Sequence, residues 1–560
     1  MKKWWLNNLS SYASKLFYVL LIISIPTVSL SQDHDSWSYN LNIYEVNVRQ
    51  YTSSGTFSEF ATHLDRLKDM GVGILWFMPI HPIGVQNRLG SLGSYYSVRD
   101  YLDVNPEFGT LDEFKALVDT IHAKGMYVIM DWVANHTAWD NPLTITHPEW
   151  YITDSNGNFV PPPGTNWTDV IQLDYSEQGL RDYMIQVMAY WINEVDIDGF
   201  RCDAVSFMPM SFWSTAISEL KNIKPELLML AEDDDPQYQS IGFDMSYAWG
   251  LHGFGNGVLR RIYTGASDVG ELDDYITNEL NAYSGNHYRM YFTSNHDENS
   301  WHGSVFEQFG NAAEIFAVLT TTMNGMPLIY SGQEAGLNKR LLFFDKDQIL
   351  WQPHPFADTY GTLLHFKREN KSLWNGSNGG RFKRVNTSND QKIFAFVREK
   401  DNDKIFAVYN LSPGFNGATL MDSLYYGTYT DVFNHDTVSF TQGAFVTLPG
   451  WSYNVYEVVN AITGISDVFE TPQEFILYQN YPNPFNSSTI ISYSIPEAVS
   501  VNLKIFDPLG KEILTMVNEV QEADKYIVNV DASNFSSGIY FYTFRTSNGF
   551  LQSKKMLLIR

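Results

Sequence analysis

The chain is 560 residues long, and at roughly 150 residues per domain it has room for three or four domains. Apolar residues make up 44% and charged residues 18%, which fits globular folding and argues against wholesale disorder. The 37 Lys and Arg face 63 Asp and Glu, a net charge of −26 that argues against a nucleic-acid partner, and the single cysteine excludes an internal disulfide framework.

Taken in chain order, the first expectation is a processing segment. Lys2, Lys3 and Lys15 precede an apolar run from Leu16 to Leu30. That run is too short for a comfortable membrane span and reads as the apolar core of a signal peptide. Ser29-Leu30-Ser31 offers small residues for cleavage before Gln32, so residues 1–31 are expected to leave on export. The mature chain is then expected to carry no transmembrane segment.

Eight short apolar runs follow: IYEVNV (43–48), GILWFMPI (73–80), MYVIMDWV (126–133), DGFRCDAV (198–205), LLMLAE (227–232), FDMSYA (243–248), RMYFTSN (289–295) and MPLIYSG (326–332). Nearly continuous apolar character is the mark of strands buried on both faces of a parallel sheet. Helical patterns lie between most of them. Thr56-x-x-Glu59 and Thr110-x-x-Glu113 read as capping boxes, and Phe114, Leu117, Val118 and Ile121 share one helix face after the second. The alternation predicts an α/β fold, a closed (β/α)8 barrel over 32–379, with an insertion at 137–196 that holds PPPG (161–164). From 380 to 459 the rhythm changes to short strands and turns, predicting a small antiparallel β domain. A linker at 460–473 precedes a last all-β stretch, 474–560.

In such a barrel, chemistry sits at the C-terminal strand ends. The third strand ends in Asp131, with Asn135 and His136 just beyond. The fourth ends in Arg201 and Asp203, one residue apart and so on the same side of the strand. The fifth ends in Glu232 and the seventh in His296-Asp297. Glycoside hydrolysis uses two carboxyl groups flanking the scissile bond, and a third can steady positive charge in the transition state. Arg201 is expected to hold Asp203 ionised, while Glu232, after an apolar run and near two anions, suits a general acid. Any one of these carboxylates alone reads as surface charge; the set at strand ends with an Arg and two His does not. Trp139, Trp150, Trp167, Trp249, Trp301 and Trp351 are candidate sugar platforms or core residues. Asp233 to Asp235 read as a polar loop, His81 as a structural cap, and Cys202 as a buried hydrophobe pointing away from the site.

VGILWFMPIHPIG (72–84), DWVANHT (131–137), GFRCDAV (199–205), MLAE (229–232), SNHDENS (294–300) and GMPLIYSGQE (325–334) resemble, in order, the characteristic regions of the α-amylase superfamily, glycoside hydrolase family 13. The resemblance spans 40–459. It implies Asp203 as nucleophile, Glu232 as acid/base and Asp297 as the stabilising carboxylate. It implies that Arg201, His136 and His296 contact the sugar, and that Tyr96, in SYYSVRDY (94–101), is a stacking platform. The insertion 137–196 would be domain B, and 380–459 the β-sandwich domain C. It implies an α-1,4-glucan substrate such as starch or maltodextrin, with cyclomaltodextrinase, maltogenic amylase, α-glucosidase and α-glucanotransferase activities as alternatives. A non-catalytic starch-binding protein would be signalled by loss of Asp203, Glu232 or Asp297, and all three are present. No cofactor is expected for the chemistry. The family's structural calcium is expected to be weak or absent. Asn135 matches one ligand position, but Gln172 of VIQLD (170–174) stands where the family often has Asp, and a hard dication wants carboxylate oxygens. Ser206 and Phe207 replace the Lys-His that often follows the nucleophile.

The last stretch carries a second resemblance. QNYPNPFNSSTIISYSIPEAVSVNLKIFDPLGKEI and SGIYFYTFRTSNGFLQSKKMLLIR are similar to the C-terminal sorting domain of proteins exported by the type IX (Por) secretion system. That similarity implies passage through the periplasm, with the secretion machinery as a partner, and a secreted or cell-surface location.

Overall fold

Short strands that are apolar on both faces must be covered inside and out, and closing them into a cylinder does both. The structure, a computed structural model, describes residues 34–283, 286–460, 475–480, 483–486, 488–521, 523–533 and 535–559. The expected signal peptide at 1–31 and nearly all of the expected linker at 460–473 lie outside the described residues.

Eight parallel strands form a closed barrel: β1 (Ile43–Val46), β2 (Ile74–Phe77), β3 (Tyr127–Trp132), β4 (Gly199–Cys202), β5 (Leu228–Ala231), β6 (Met245–Tyr247), β7 (Tyr288–Tyr291) and β8 (Met326–Tyr330). Each pairs with the next in sequence, and β8 pairs with β1. Side chains alternate between two cores. Ile43, Ile74, Ile129, Leu228, Met245, Tyr288, Met326 and Leu328 fill the barrel. Tyr44, Leu75, Phe77, Val128, Met130, Phe200 and Cys202 face outward onto the helices. The parity that puts Ile43, Ile74, Ile129 and Gly199 inside also puts Glu45, Trp76, Asp131 and Arg201 inside, one layer higher. Register aligns that layer, with Glu45 opposite Trp76 and Asp131 opposite Arg201.

The helix Leu111–Ala123 begins in a complete capping box: Thr110 and Glu113 satisfy each other's backbone N–H, and Phe114, Leu117, Val118 and Ile121 are buried. The earlier box is half-formed. Thr56 caps the helix Phe57–Ala61 through the Glu59 N–H, but Glu59 turns outward to the Ser54 N–H at 3.0 Å. Ser54 offers both an amide and a hydroxyl, and these win the carboxylate.

After β3, the chain forms a small antiparallel pair, His136–Ala138 with Val170–Gln172. It then enters the helix Gln178–Val195, which packs against the helix Met210–Ile223. Beyond the barrel, six strands form one sheet in the order Arg381–Arg384, Ile393–Lys400, Asp403–Asn410, Ser452–Asn460, Gly427–Asp431 and Thr437–Phe440. Asn416–Thr419 and Phe445–Leu448 form a separate pair. One face of the large sheet encloses its own core around Val397, Phe406 and Tyr429. The other face adds Phe394, Phe396 and Tyr409 to the core of the barrel's outer layer. Buried Arg398 fastens the junction by donating to the carbonyls of Thr322, Met323 and Trp374. The last seven strands form two more sheets, one of three strands and one of four, around a separate core that includes Tyr493, Leu503, Tyr542 and Phe544.

Candidate active site

Arg201 stands at the top of the barrel interior, fully buried, and its guanidinium gathers the polar layer. Nη1 donates to Asp131 Oδ1 and to Asp203 Oδ1, both at 2.9 Å. Nη2 lies 2.6 Å from Glu232 Oε1. Nε donates to the Tyr247 hydroxyl at 3.0 Å. A buried cation must be paired, and the carboxyl groups around this guanidinium meet that need.

Asp203 and Glu232 reach this point because the chain continues past each strand end. The Asp203 amide donates to the Trp132 carbonyl, and the Glu232 amide to the Cys202 carbonyl, both at 3.0 Å. Ala204 then takes φ +43°, a left-handed conformation that alanine rarely adopts. The turn aims the Ala204 N–H at Glu232 Oε2, 2.7 Å away. Strain of this kind persists where surrounding contacts over-determine it, and active sites collect it.

Burial pushes the Glu232 carboxyl up to about 8, with Asp203 and Asp297 adding to the rise against the pull of Arg201. Glu232 is therefore largely protonated near neutrality and able to donate a proton. Burial likewise raises Asp131 to about 7, opposed by Arg201. Asp131 also accepts from Trp76 Nε1 at 3.3 Å and from the Tyr96 hydroxyl at 3.1 Å.

His296 joins the second half of the site. Its Nδ1 lies 2.5 Å from Glu45 Oε1, its Nε2 2.7 Å from the Tyr96 hydroxyl and 3.4 Å from Asp297 Oδ2. Burial alone would lower the imidazole, but Asp297 and Glu45 outweigh it and raise it to about 9. The Tyr96 ring lies over His296 with centroids 5.4 Å apart. Asp297 accepts from Trp301 Nε1 at 3.1 Å, and Trp301 is 49% exposed beside it. His136 is buried beside Asp203 and the Tyr96 backbone, 5.4 Å from the Trp167 ring, which in turn faces Phe207.

The structure thus brings Asp203, Glu232, Asp297, Arg201, His296 and Tyr96 into one linked group, with His136 beside Asp203 and Tyr96. Glu45, Trp76, Tyr247 and Phe343, whose ring stacks 6.2 Å from that of Tyr96, carry no signal in the strand-end reading of the sequence. Glu45 has a legible signal of another kind: a carboxylate at an inward position of an otherwise apolar strand. Trp301 and Trp167 border the site. Trp150 stacks on His147 and is buried, Trp139 bonds the Thr168 carbonyl, and Trp351 packs on Tyr51 beneath Arg66. Asp233 and Asp235 accept from their own loop amides. His81 is sealed among Tyr101, Trp132 and Trp191. Cys202 faces the outer core.

A calcium ion is poorly served. The Asn135 amide nitrogen lies 3.3 Å from His136 Nδ1, and Gln172 sits opposite His136 in the strand pair. Both are neutral amides. Among the described residues, no group of three or more His, Cys, Asp or Glu could hold an ion. These residues do not fit a hard dication.

Carboxylates converging at the C-terminal mouth of a (β/α)8 barrel define the class, a barrel enzyme of the glycoside hydrolase kind. The chain belongs to the alpha-amylase family: the family described as "Alpha amylase, catalytic domain" matches residues 32–170 and 165–407. The "Alpha amylase, C-terminal all-beta domain" matches 385–461, and the "Secretion system C-terminal sorting domain" matches 479–559. Among curated relatives, an alpha-1,4-glucan:maltose-1-phosphate maltosyltransferase of Picrophilus torridus is 28% identical over 72% of this chain and 66% of its own length. Alpha-amylase 3 of Dictyoglomus thermophilum is 24% identical over 71% of this chain and 89% of its own. Among solved structures, a noncanonic maltogenic alpha-amylase from Thermotoga neapolitana is 30% identical, with a TM-score of 0.68, covering 75% of this chain and 99% of that one. An alpha-amylase from Lactobacillus plantarum is also 30% identical, with a TM-score of 0.67, over 76% and 100% of the two chains.

Proposed function

We propose that this enzyme is a retaining glycoside hydrolase that cleaves α-1,4-glucosidic bonds in starch, maltodextrin or related α-glucans. The observation that carries the reading is one guanidinium pairing Asp203 and Glu232 through neighbouring nitrogens while burial keeps Glu232 protonated up to about 8. A shared guanidinium supports the close spacing of about 5–5.5 Å used by retaining enzymes over the wider inverting one. Asp203 attacks the anomeric carbon while Glu232 gives its proton to the departing oxygen. Glu232, now ionised, takes a proton from the water that releases the sugar. Asp297, which touches protonated His296, offsets the positive charge that develops on the ring. Tyr96 provides a stacking face, and Arg201, His136 and His296 hold the sugar at the cleavage point. Domain B at 137–196 and domain C at 380–459 frame the site. Export proceeds by signal peptide and then type IX secretion, with 474–560 as the sorting domain and a secreted or cell-surface destination.

Asp203→Asn and Glu232→Gln are each expected to lower kcat on soluble starch by several orders of magnitude while circular dichroism and Tm stay near wild type. A folded Asp203→Asn enzyme with wild-type turnover, shown free of deamidation, would remove Asp203 from the mechanism.

A further inference from the structure

The loop after β6 reads Gly253-Phe254-Gly255-Asn256-Gly257, and at two of its glycines a side chain would crowd its neighbours. A Cβ on Gly257 would fall 2.4 Å from the His252 backbone, and one on Gly253 would fall 3.0 Å from the Trp249 ring. Phe254 breaks the pattern. Its φ is +54° and ψ +35°, a conformation that glycine adopts without strain and a bulky residue does not. Its ring is 66% exposed, so core burial does not compensate the strain.

The conformation is imposed from below. Phe254 N–H donates to Glu298 Oε1 at 2.5 Å. Glu298 is fully buried, next in sequence to Asp297, and faces Gln308, His302 and His252 with its other oxygen. The loop is therefore strapped to the segment that carries the third carboxylate. What the strain achieves is the placing of one ring. Phe254 stacks on Trp249, with centroids 4.7 Å apart and planes at 20°. Trp249 packs on Tyr247 at 4.8 Å, and Tyr247 accepts from Arg201. A ladder of aromatic rings thus runs from the guanidinium under the reacting carboxylates out to solvent, and Phe254 is its outer rung.

We propose that Phe254, backed by Trp249, is a stacking platform for a glucosyl unit of the bound α-glucan beyond the units that flank the cleaved bond. The proposal rests on the α-glucan reading above. The apolar C–H face of a sugar ring lies on the open face of Phe254, and Glu298 is the positioning residue that holds the platform.

The test compares wild type, Phe254→Gly and Phe254→Tyr on maltotriose and maltoheptaose. The glycine variant is expected to lose about five- to ten-fold in kcat/KM on maltoheptaose, the worth of one aromatic stacking contact, and less on maltotriose. The tyrosine variant is expected to stay within about two-fold of wild type, since it keeps the ring. Glycine relieves the left-handed strain, so its Tm is expected at or above the wild-type value. No change on maltoheptaose, an equal loss on both chain lengths, or a glycine variant with a clearly lowered Tm would overturn the platform. Wild-type inactivity on both sugars would sink the proposed function instead. Maltoheptaose titration followed by tryptophan fluorescence then decides the platform: a Kd about five-fold weaker in the glycine variant supports it, and equal or absent binding overturns it.

Discussion

Arg201 is the residue on which the site turns, since one guanidinium meets Asp131, Asp203, Glu232 and Tyr247. Replacing any one partner leaves the others to absorb a buried positive charge, so these residues act as a unit. The second chain of contacts, Glu45 to His296 to Asp297, is where a residue-scale prediction can be read directly. His296 is raised to about 9, so it is protonated in the folded state at neutral pH. Its folded value lies above its ordinary one of about 6.5, so its contribution to stability is fully present below that value and is lost as pH rises through about 9. Glu45→Gln takes away one of the two carboxylates responsible. The His296 imidazole is then expected to titrate at a lower pH by NMR, and the high-pH loss of stability is expected to begin earlier. An unmoved titration would show that Glu45 only fills space. Asp203, Glu232, Asp297 and His296 were legible because each ends a recognisable strand. Trp76 and Tyr247 were not, because their roles depend on which strand lies beside Arg201, and inter-strand neighbours are set by closure of the barrel.

At the scale of elements, all eight expected strands form, and each ends earlier than its apolar run. The first run, 43–48, gives way at Asn47, whose side chain accepts the Gln50 N–H and starts the helix Val48–Tyr51. The fourth, 198–205, stops at Cys202 because Ala204 turns left-handed to serve Glu232. The seventh stops at Tyr291, and a single wide helical turn, Glu298–His302, follows Asp297. These departures lie where the chain leaves the ladder to aim side chains into the site, and periodicity carries no record of that. Asn135 and Gln172, at the antiparallel pair His136–Ala138 with Val170–Gln172, present neutral amides where a calcium ion would favour carboxylates. Treatment with EDTA is therefore expected to shift Tm by no more than a degree or two and to leave turnover nearly constant. A fall of many degrees, restored by added calcium, would show that carbonyl and amide oxygens suffice here.

At the scale of the whole molecule, the parts are joined unequally. The six-stranded sheet shares Phe394, Phe396 and Tyr409 with the barrel's outer core, and Arg398 holds the Thr322 and Met323 carbonyls across the junction. The C-terminal sheets bury a core of their own. Few contacts should cross from a unit with its own core, whereas a shared apolar face cannot be exposed without loss. Deleting 474–560 is expected to leave hydrolysis of a soluble α-glucan nearly unchanged in vitro and to strand the enzyme in the periplasm of its native host. Deleting from 381 onward is expected to give insoluble protein. Loss of activity in the shorter deletion, or its normal arrival in the medium, would overturn the sorting role. The division into a barrel, a small β domain and a further β segment was legible from changes in strand rhythm. The fusion of the barrel and sheet cores was not, because Phe394 and Phe396 look the same in sequence whether they face their own sheet or a neighbour.

In the proposed mechanism Asp203 forms a covalent bond to the sugar, and Glu232 acts first as acid and then as base. The most direct measurement is the anomeric configuration of the first product, followed by proton NMR in the first moments of maltodextrin hydrolysis, before mutarotation. Double displacement predicts the α-anomer at early times. Early accumulation of the β-anomer would contradict the account.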